Sequence, residues 1–163
     1  GVFLKEEGAA FSILWRNIAM KRKNIVRKVW MPLSCCLLVL LLFRFVFFLG
    51  YVPSASMEPT IPKNSFIIGI RLYGELNRGD IVAFERNGRY LVKRIAAVPG
   101  DIVYINDQNR SISVNIGISN TTRILAVPEN SYFLLGDNTN TSIDSRCWAN
   151  PFVGIEKIIA KKH

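Results

Sequence analysis

The 163-residue chain holds one histidine, His163, and it is the last residue. A Ser-His-Asp arrangement would have to rest on a terminal position, where order is commonly weakest. Cysteine is scarce as well: Cys35 and Cys36 fall in an apolar run and Cys147 lies far downstream. Three cysteines in that placement make neither a disulfide framework nor a zinc spacing, so no metal and no cofactor are expected. Internal repeats and low-complexity tracts are missing, and after residue 52 no helical period of useful length appears.

Charge of one sign is short only in places. Lys and Arg total 21 against 12 acidic residues. Residues 1–31 carry Lys5, Arg16, Lys21, Arg22, Lys23, Arg27 and Lys28 against Glu6 and Glu7, a net of +5. Residues 51–163 hold 13 basic and 10 acidic residues, a net of +3. Basic chains often bind nucleic acid, but an excess placed just before an apolar run points to a membrane surface, and nucleic acid is not an expected partner.

Within residues 8–30, Phe11, Leu14, Trp15, Ile18, Ile25, Val26, Val29 and Trp30 recur at spacings of three and four. That is an amphipathic helix with a basic opposite face, expected over residues 1–31 on the cytoplasmic side. Residues 32–51 follow with one charge, Arg44, and about 20 apolar residues span a bilayer. Arg44 costs roughly 2.5–3.5 kcal/mol at a helix centre, but it sits toward the distal end and its stem can snorkel. The run is longer than a signal-peptide core and begins late, so a retained single-pass anchor is expected. The positive-inside rule then puts residues 52–163 outside the cytoplasm.

The remainder reads as β-structure. Runs rich in Ile, Val, Phe and Tyr occupy Ser65–Arg71, Asp80–Glu85, Tyr90–Val98, Asp101–Ile105, Ser111–Ile116, Thr122–Val127, Ser131–Leu135 and Phe152–Ala160. Turn signals such as Asn87-Gly88, Pro99-Gly100-Asp101 and Pro128-Glu129-Asn130 divide them. The expected fold is mainly β: an antiparallel barrel or sandwich of roughly 110 residues, preceded by one transmembrane helix.

The chemistry centres on Ser54-Ala55-Ser56-Met57-Glu58-Pro59-Thr60. In an extended backbone Ser54 and Ser56 point the same way, and Pro59 and Pro62 forbid a regular helix. A serine hydroxyl is a weak nucleophile until a base takes its proton. With histidine confined to the terminus, a neutral lysine is the alternative base. Lys93 shares a strand face with Leu91 and Ile95. If that face is inward, burial lowers the lysine pKa toward neutrality.

Four boxes occur in order: Ser56-Met57-Glu58-Pro59-Thr60; Arg78-Gly79-Asp80 through Phe84; Tyr90-Leu91-Val92-Lys93-Arg94 to Asp101; and Gly136-Asp137-Asn138 through Arg146. The order resembles the type I signal peptidase (leader peptidase) family of Ser-Lys serine endopeptidases, over residues 53–154 and the preceding anchor. The resemblance implies Ser56 as nucleophile and Lys93 as general base. It implies Ser54 beside the Ser56 N–H in the oxyanion hole and Ser142 orienting the lysine. Asp144 and Arg146 match a supporting charged pair, and Met57 a residue lining the catalytic region. The implied partners are preprotein signal peptides with small residues before the cut, the lipid bilayer and the secretion translocon.

Where bacterial members commonly carry Arg-Asp within the last box, this chain has Thr139-Asn140, so a local ionic contact is expected to be missing. The short link between the lysine box and the last box resembles the compact Gram-positive form. It also suits a specialised peptidase of the same family that matures a conjugation or pilus protein. A self-cleaving Ser-Lys repressor would need an amino-terminal DNA-binding domain that residues 1–50 cannot supply. An inactive membrane-anchored binding module is the remaining alternative.

Overall fold

The computed structural model describes residues 3–162, with the side chains of residues 26–162 and of Trp15 and Met20. His163 and the side chains of most of the amphipathic positions of residues 8–25 lie outside what the structure describes. The chain divides into two compact units, residues 1–42 and 43–163.

The first unit belongs to one helix, α1 (Phe3–Phe45), which carries Pro32 in its interior. A proline there removes one i→i−4 hydrogen bond. Ser34 Oγ donates to the Met31 carbonyl at 2.9 Å. Val26–Phe45 is long and apolar enough to cross a membrane and is exposed along its length. The helix stops at Phe45, short of the expected boundary at Tyr51. The last apolar residues instead form strand β1 (Phe47–Val52), which pairs along its whole length with β2 (Ser65–Ile70). Aromatic and branched residues favour a pleated ladder, and β1 buries Phe48 and Val52 in the core.

Eight further strands follow: β3 (Ile81–Arg86), β4 (Arg89–Ala97), β5 (Ile102–Asn106), β6 (Ser111–Val114), β7 (Arg123–Ala126), β8 (Ser131–Leu135), β9 (Phe152–Gly154) and β10 (Ile158–Lys162). All the pairings are antiparallel. The large sheet runs β1-β2-β10-β3-β4-β8-β9, and β6-β5-β7 makes a small second sheet. Phe152–Ala160, expected as one strand, is split by a 3-10 turn at Ile155–Lys157. β10 therefore sits between β2 and β3, and the first and last strands of the chain belong to one sheet.

β3 and β4 sit inside the large sheet and position the site. Residues of β3 alternate between two clusters: Ile81 and Ala83 pack with Phe48, Met57 and Ile67, while Val82 and Phe84 pack with Ile95 and Leu134. A strand buried on both faces reads as a continuous apolar run. The hairpin to β4 turns at Asn87-Gly88, both at positive φ (51° and 72°), as the expected Asn-Gly turn requires. It sets Val82 opposite Lys93.

Candidate active site

Lys93 is the buried charge of β4. It lies on the inward face with Ile95 and Ala97, is 3% exposed, and its Nζ donates to Ser56 Oγ at 2.8 Å and to Ser142 Oγ at 2.9 Å. Three hydroxyl-bearing residues and one amine therefore meet, drawn from two loops and a strand, because Ser54 Oγ lies 3.2 Å from Ser56 Oγ.

Residues 54–60 form turns and bends, an irregular stretch and not an extended one. Pro53 and Pro59 lack the N–H a ladder needs; Ile61 N donates to the Met57 carbonyl at 2.8 Å instead. The turn still places both serine oxygens together. It also buries Met57 completely beneath them, against the core of β1 and β2. The Ser56 N–H meets no acceptor among the described residues. The Ser56 carbonyl accepts from Asn138 N at 3.1 Å, which ties the serine turn to the last box.

That box is held by backbone. Ser142 N donates to the Asn138 carbonyl at 3.0 Å, and among the described residues no ion pair lies between Asn138 and Ile143. Beneath it Asp144 is fully buried and Arg146 nearly so. Arg146 Nε and Nη2 grip Asp144 Oδ1 and Oδ2 at 2.9 and 2.7 Å, and Gly136 N donates to Oδ2 at 3.0 Å. A bidentate pair with further donors is the arrangement that makes a buried charge tolerable.

Burial pushes the Lys93 amine below its ordinary range. Asp144 opposes this by favouring the cation, Arg146 adds to it, and Asp137 opposes it; the net shift is downward. Burial pushes the Asp144 carboxyl up, but hydrogen bonds from Arg146, Ser142 and Gly136 outweigh it and leave the pKa lowered. A lysine with lowered affinity for its proton, touching a serine hydroxyl, can act as a base for a nucleophile.

Two parts of the site escaped sequence reasoning. Arg94 grips Asp137 through Nε and Nη2 at 2.8 and 2.6 Å, and donates to the Gly79 carbonyl at 2.8 Å. It thereby ties the Arg78-Gly79-Asp80 turn to the last box. Arg110 Nη2 donates to the Ser142 carbonyl at 2.8 Å. No local pattern announces either contact, since the partners are 43 and 32 residues apart. A groove of about 260 Å³ opens beside Ser54, Ser56 and Lys93, walled by Tyr51, Pro53 and Val92.

Comparison with known proteins assigns the family. The model of the signal peptidase family, peptidase S26, matches residues 25–117 and 113–163. The chain belongs to the signal peptidase family, peptidase S26. A probable signal peptidase I-2 of Synechocystis sp. is 30% identical, over 90% of this chain and 77% of its own length. Signal peptidase I S of Bacillus subtilis is 31% identical, over 77% and 80%. A crystal structure of a signal peptidase I from Enterococcus faecalis is 28% identical, with a TM-score of 0.41, and covers 53% of this chain and 96% of that one. This signal peptidase is a membrane-anchored serine endopeptidase, and its substrates are preprotein signal peptides.

Proposed function

We propose that Ser56 and Lys93 form the catalytic dyad. The observation that carries this reading is the 2.8 Å contact between a buried amine and a part-exposed serine hydroxyl. Neutral Lys93 accepts the Ser56 proton while one of its own N–H groups donates to Ser142 Oγ, so its lone pair is aimed at Ser56. Ser56 Oγ attacks the scissile carbonyl, and its proton passes through Lys93 to the leaving amine. Lys93 then deprotonates the water that hydrolyses the ester. Ser54 Oγ and the Ser56 N–H stabilise the oxyanion, a pair whose members typically contribute on the order of 3–4 kcal/mol each. Asp144 and Arg146 hold the Ser142 segment, and Met57 supports the serine turn from below.

The 260 Å³ groove takes the residues before the cut. Its narrow walls favour small side chains by excluding large ones, and an extended peptide would bind beside β4 by adding a strand. The basic segment 1–31 remains cytoplasmic, the apolar remainder of α1 anchors the chain in the bilayer, and the β domain works on the far side, near the translocon. Anchoring enzyme and substrate in one membrane raises their effective concentration.

The deciding experiment is acylation of the full chain in detergent by a serine-reactive inhibitor, with mass spectrometry of the adduct. A single adduct on Ser56, lost in Lys93→Ala, is expected. An adduct elsewhere, or preprotein cleavage that survives Ser56→Ala, removes the dyad.

A further inference from the structure

The turn between β5 and β6 breaks a rule that the other turns keep. Among the described residues the non-glycine positions with positive φ are Asn64, Asn87, Asn115, Asn120, Asn130 and Arg110. Asparagine tolerates the left-handed region because its short amide bonds locally, whereas a long side chain has no such compensation. Arg110, at φ 59°, is the exception. The turn does not need an arginine to form: Asn106 Oδ1 accepts from Gln108 N and Asn109 N, and Asn109 Oδ1 accepts from Ser111 N. A residue held in an unfavourable backbone conformation directs attention to what its side chain does.

That side chain crosses to the last box. Arg110 Nη2 donates to the Ser142 carbonyl at 2.8 Å and to Cys147 Sγ at 3.3 Å, and the Arg110 carbonyl accepts from Arg146 Nη1 at 3.2 Å. Among the described residues Arg110 has no carboxylate partner. The Ser142 carbonyl is thus the closest acceptor of its guanidinium.

Ser142 depends on such contacts because packing does not hold its neighbours. Thr139, Asn140, Thr141 and Ile143 are exposed, and Ser142 between them is buried. Its N–H donates to the Asn138 carbonyl within the same turn; the Arg110 contact comes from outside it. With both backbone polar groups fixed, the Cα–Cβ bond of Ser142 has one direction. Its hydroxyl then has only χ1 left with which to meet Lys93 Nζ at 2.9 Å.

Arg123 of β7 offers a comparison within the molecule. It comes from the same small sheet, and its Nη2 donates to the Arg146 carbonyl at 2.7 Å. Both arginines fasten the small sheet to the last box through a backbone carbonyl. Arg110 alone of the two holds the residue that touches the amine.

We infer that Arg110 is a positioning residue of the catalytic site, holding Ser142 where its hydroxyl meets Lys93. This rests on the dyad reading, in which Ser142 aims the lone pair of Lys93 at Ser56. Neither Arg110 nor Ser142 lines the groove beside Ser56. Loss of Arg110 therefore leaves substrate binding in place and falls on the chemical step.

The test measures cleavage of a preprotein peptide by the full chain in detergent. Arg110→Asn puts into the turn the residue that the chain uses at its other such positions, so the turn is kept and the reach is lost. We expect kcat to fall about ten-fold, within the roughly hundred-fold that a displacement of about 1 Å can cost, with KM unchanged. Arg110→Lys, which keeps a cationic donor of similar reach, should recover most of the loss. Arg123→Gln should leave kcat at the parent value. A parent-like kcat in Arg110→Asn overturns the inference, and so does a loss carried by KM. An equal loss in Arg123→Gln, or no recovery in Arg110→Lys, overturns it too, because a plain fastening role predicts both. No cleavage by the parent, or cleavage that survives Lys93→Ala, overturns the dyad reading instead.

Discussion

The Ser142 hydroxyl fills the space in which a side chain at Gly136 would begin. A Cβ on Gly136 would fall on Ser142 Oγ and within 2.5 Å of the Ser56 carbonyl oxygen. The glycine therefore lets the last box close onto the serine turn, and Ser142 can reach Lys93 only because it does.

Gly136→Ala is accordingly expected to act on catalysis at a distance from the reacting atoms. The new methyl must push Ser142 off Lys93 or Ser56 off Asn138. A misplacement of about 1 Å can cost on the order of a hundred-fold in rate. We expect kcat/KM on a preprotein peptide to fall by about that factor, with the β domain still folded by circular dichroism. Unchanged kinetics would mean that the Gly136 contact does not constrain the site.

Lys93 should cost the protein stability in return for chemistry. Its folded pKa is lowered below the ordinary lysine value, chiefly by burial. Below the folded pKa the protonated amine carries its full burial penalty. As pH rises from the folded value toward the unfolded one, the unfolded chain holds more protons and stability increases. Lys93→Met removes the penalty and keeps the length of the side chain. At neutral pH we expect its melting temperature to rise by a few degrees, about 1 kcal/mol, while cleavage is abolished. The gain should fade as the pH approaches the ordinary lysine value. A lower melting temperature for Lys93→Met at pH 7 would show that the hydrogen bonds to Ser56 and Ser142 outweigh the burial.

The Asp144–Arg146 pair makes the opposite prediction. Both side chains are at most 4% exposed. Truncating one partner of such a pair costs about 3–5 kcal/mol, because the other charge stays buried and unpaired. Asp144→Ala should therefore destabilise the domain by roughly that amount in denaturant titration. The double variant Asp144→Leu with Arg146→Met should lose much less. Equal losses in single and double variants would mean that the cost comes from packing and not from charge. The Asp144 carboxyl is also held below its ordinary pKa. Its contribution is present above the unfolded carboxylate value and is lost as pH falls through the lower folded value.

What the sequence revealed and what it hid follow one division. Lys93, Ser56 and Ser142 were legible because each sits in a short ordered box. The strands of the β domain were legible because runs rich in Ile, Val, Phe and Tyr end at turn residues such as Asn87-Gly88; along Arg89–Ala97 burial alternates while residue type does not. β1 was hidden because Phe47–Val52 extends an apolar run without a break, and composition cannot say where a helix hands over to a strand. The 3-10 turn at Ile155–Lys157 carries no proline, and its Glu156-Lys157 pair is no stronger a break than the charges within other strands, so Phe152–Ala160 reads as continuous. Arg94–Asp137 and Arg110–Ser142 were hidden for another reason: they are side-chain contacts between distant segments, fixed only when the sheet has formed.

The pH dependence of cleavage joins the electrostatics to the mechanism. Only neutral Lys93 can take the Ser56 proton, so kcat/KM should rise with pH through the lowered pKa of Lys93 and level off above it. Asp144 is the strongest group that favours the protonated amine, and Arg146 works against it. Asp144→Asn removes the first and leaves the second uncompensated, and both changes lower the Lys93 pKa further. The rising limb of the profile should therefore move to lower pH in Asp144→Asn, even though that variant is less stable. Simple structural damage would reduce the plateau without moving the limb. A shift of the limb to higher pH would mean that a group other than Lys93 governs the titration.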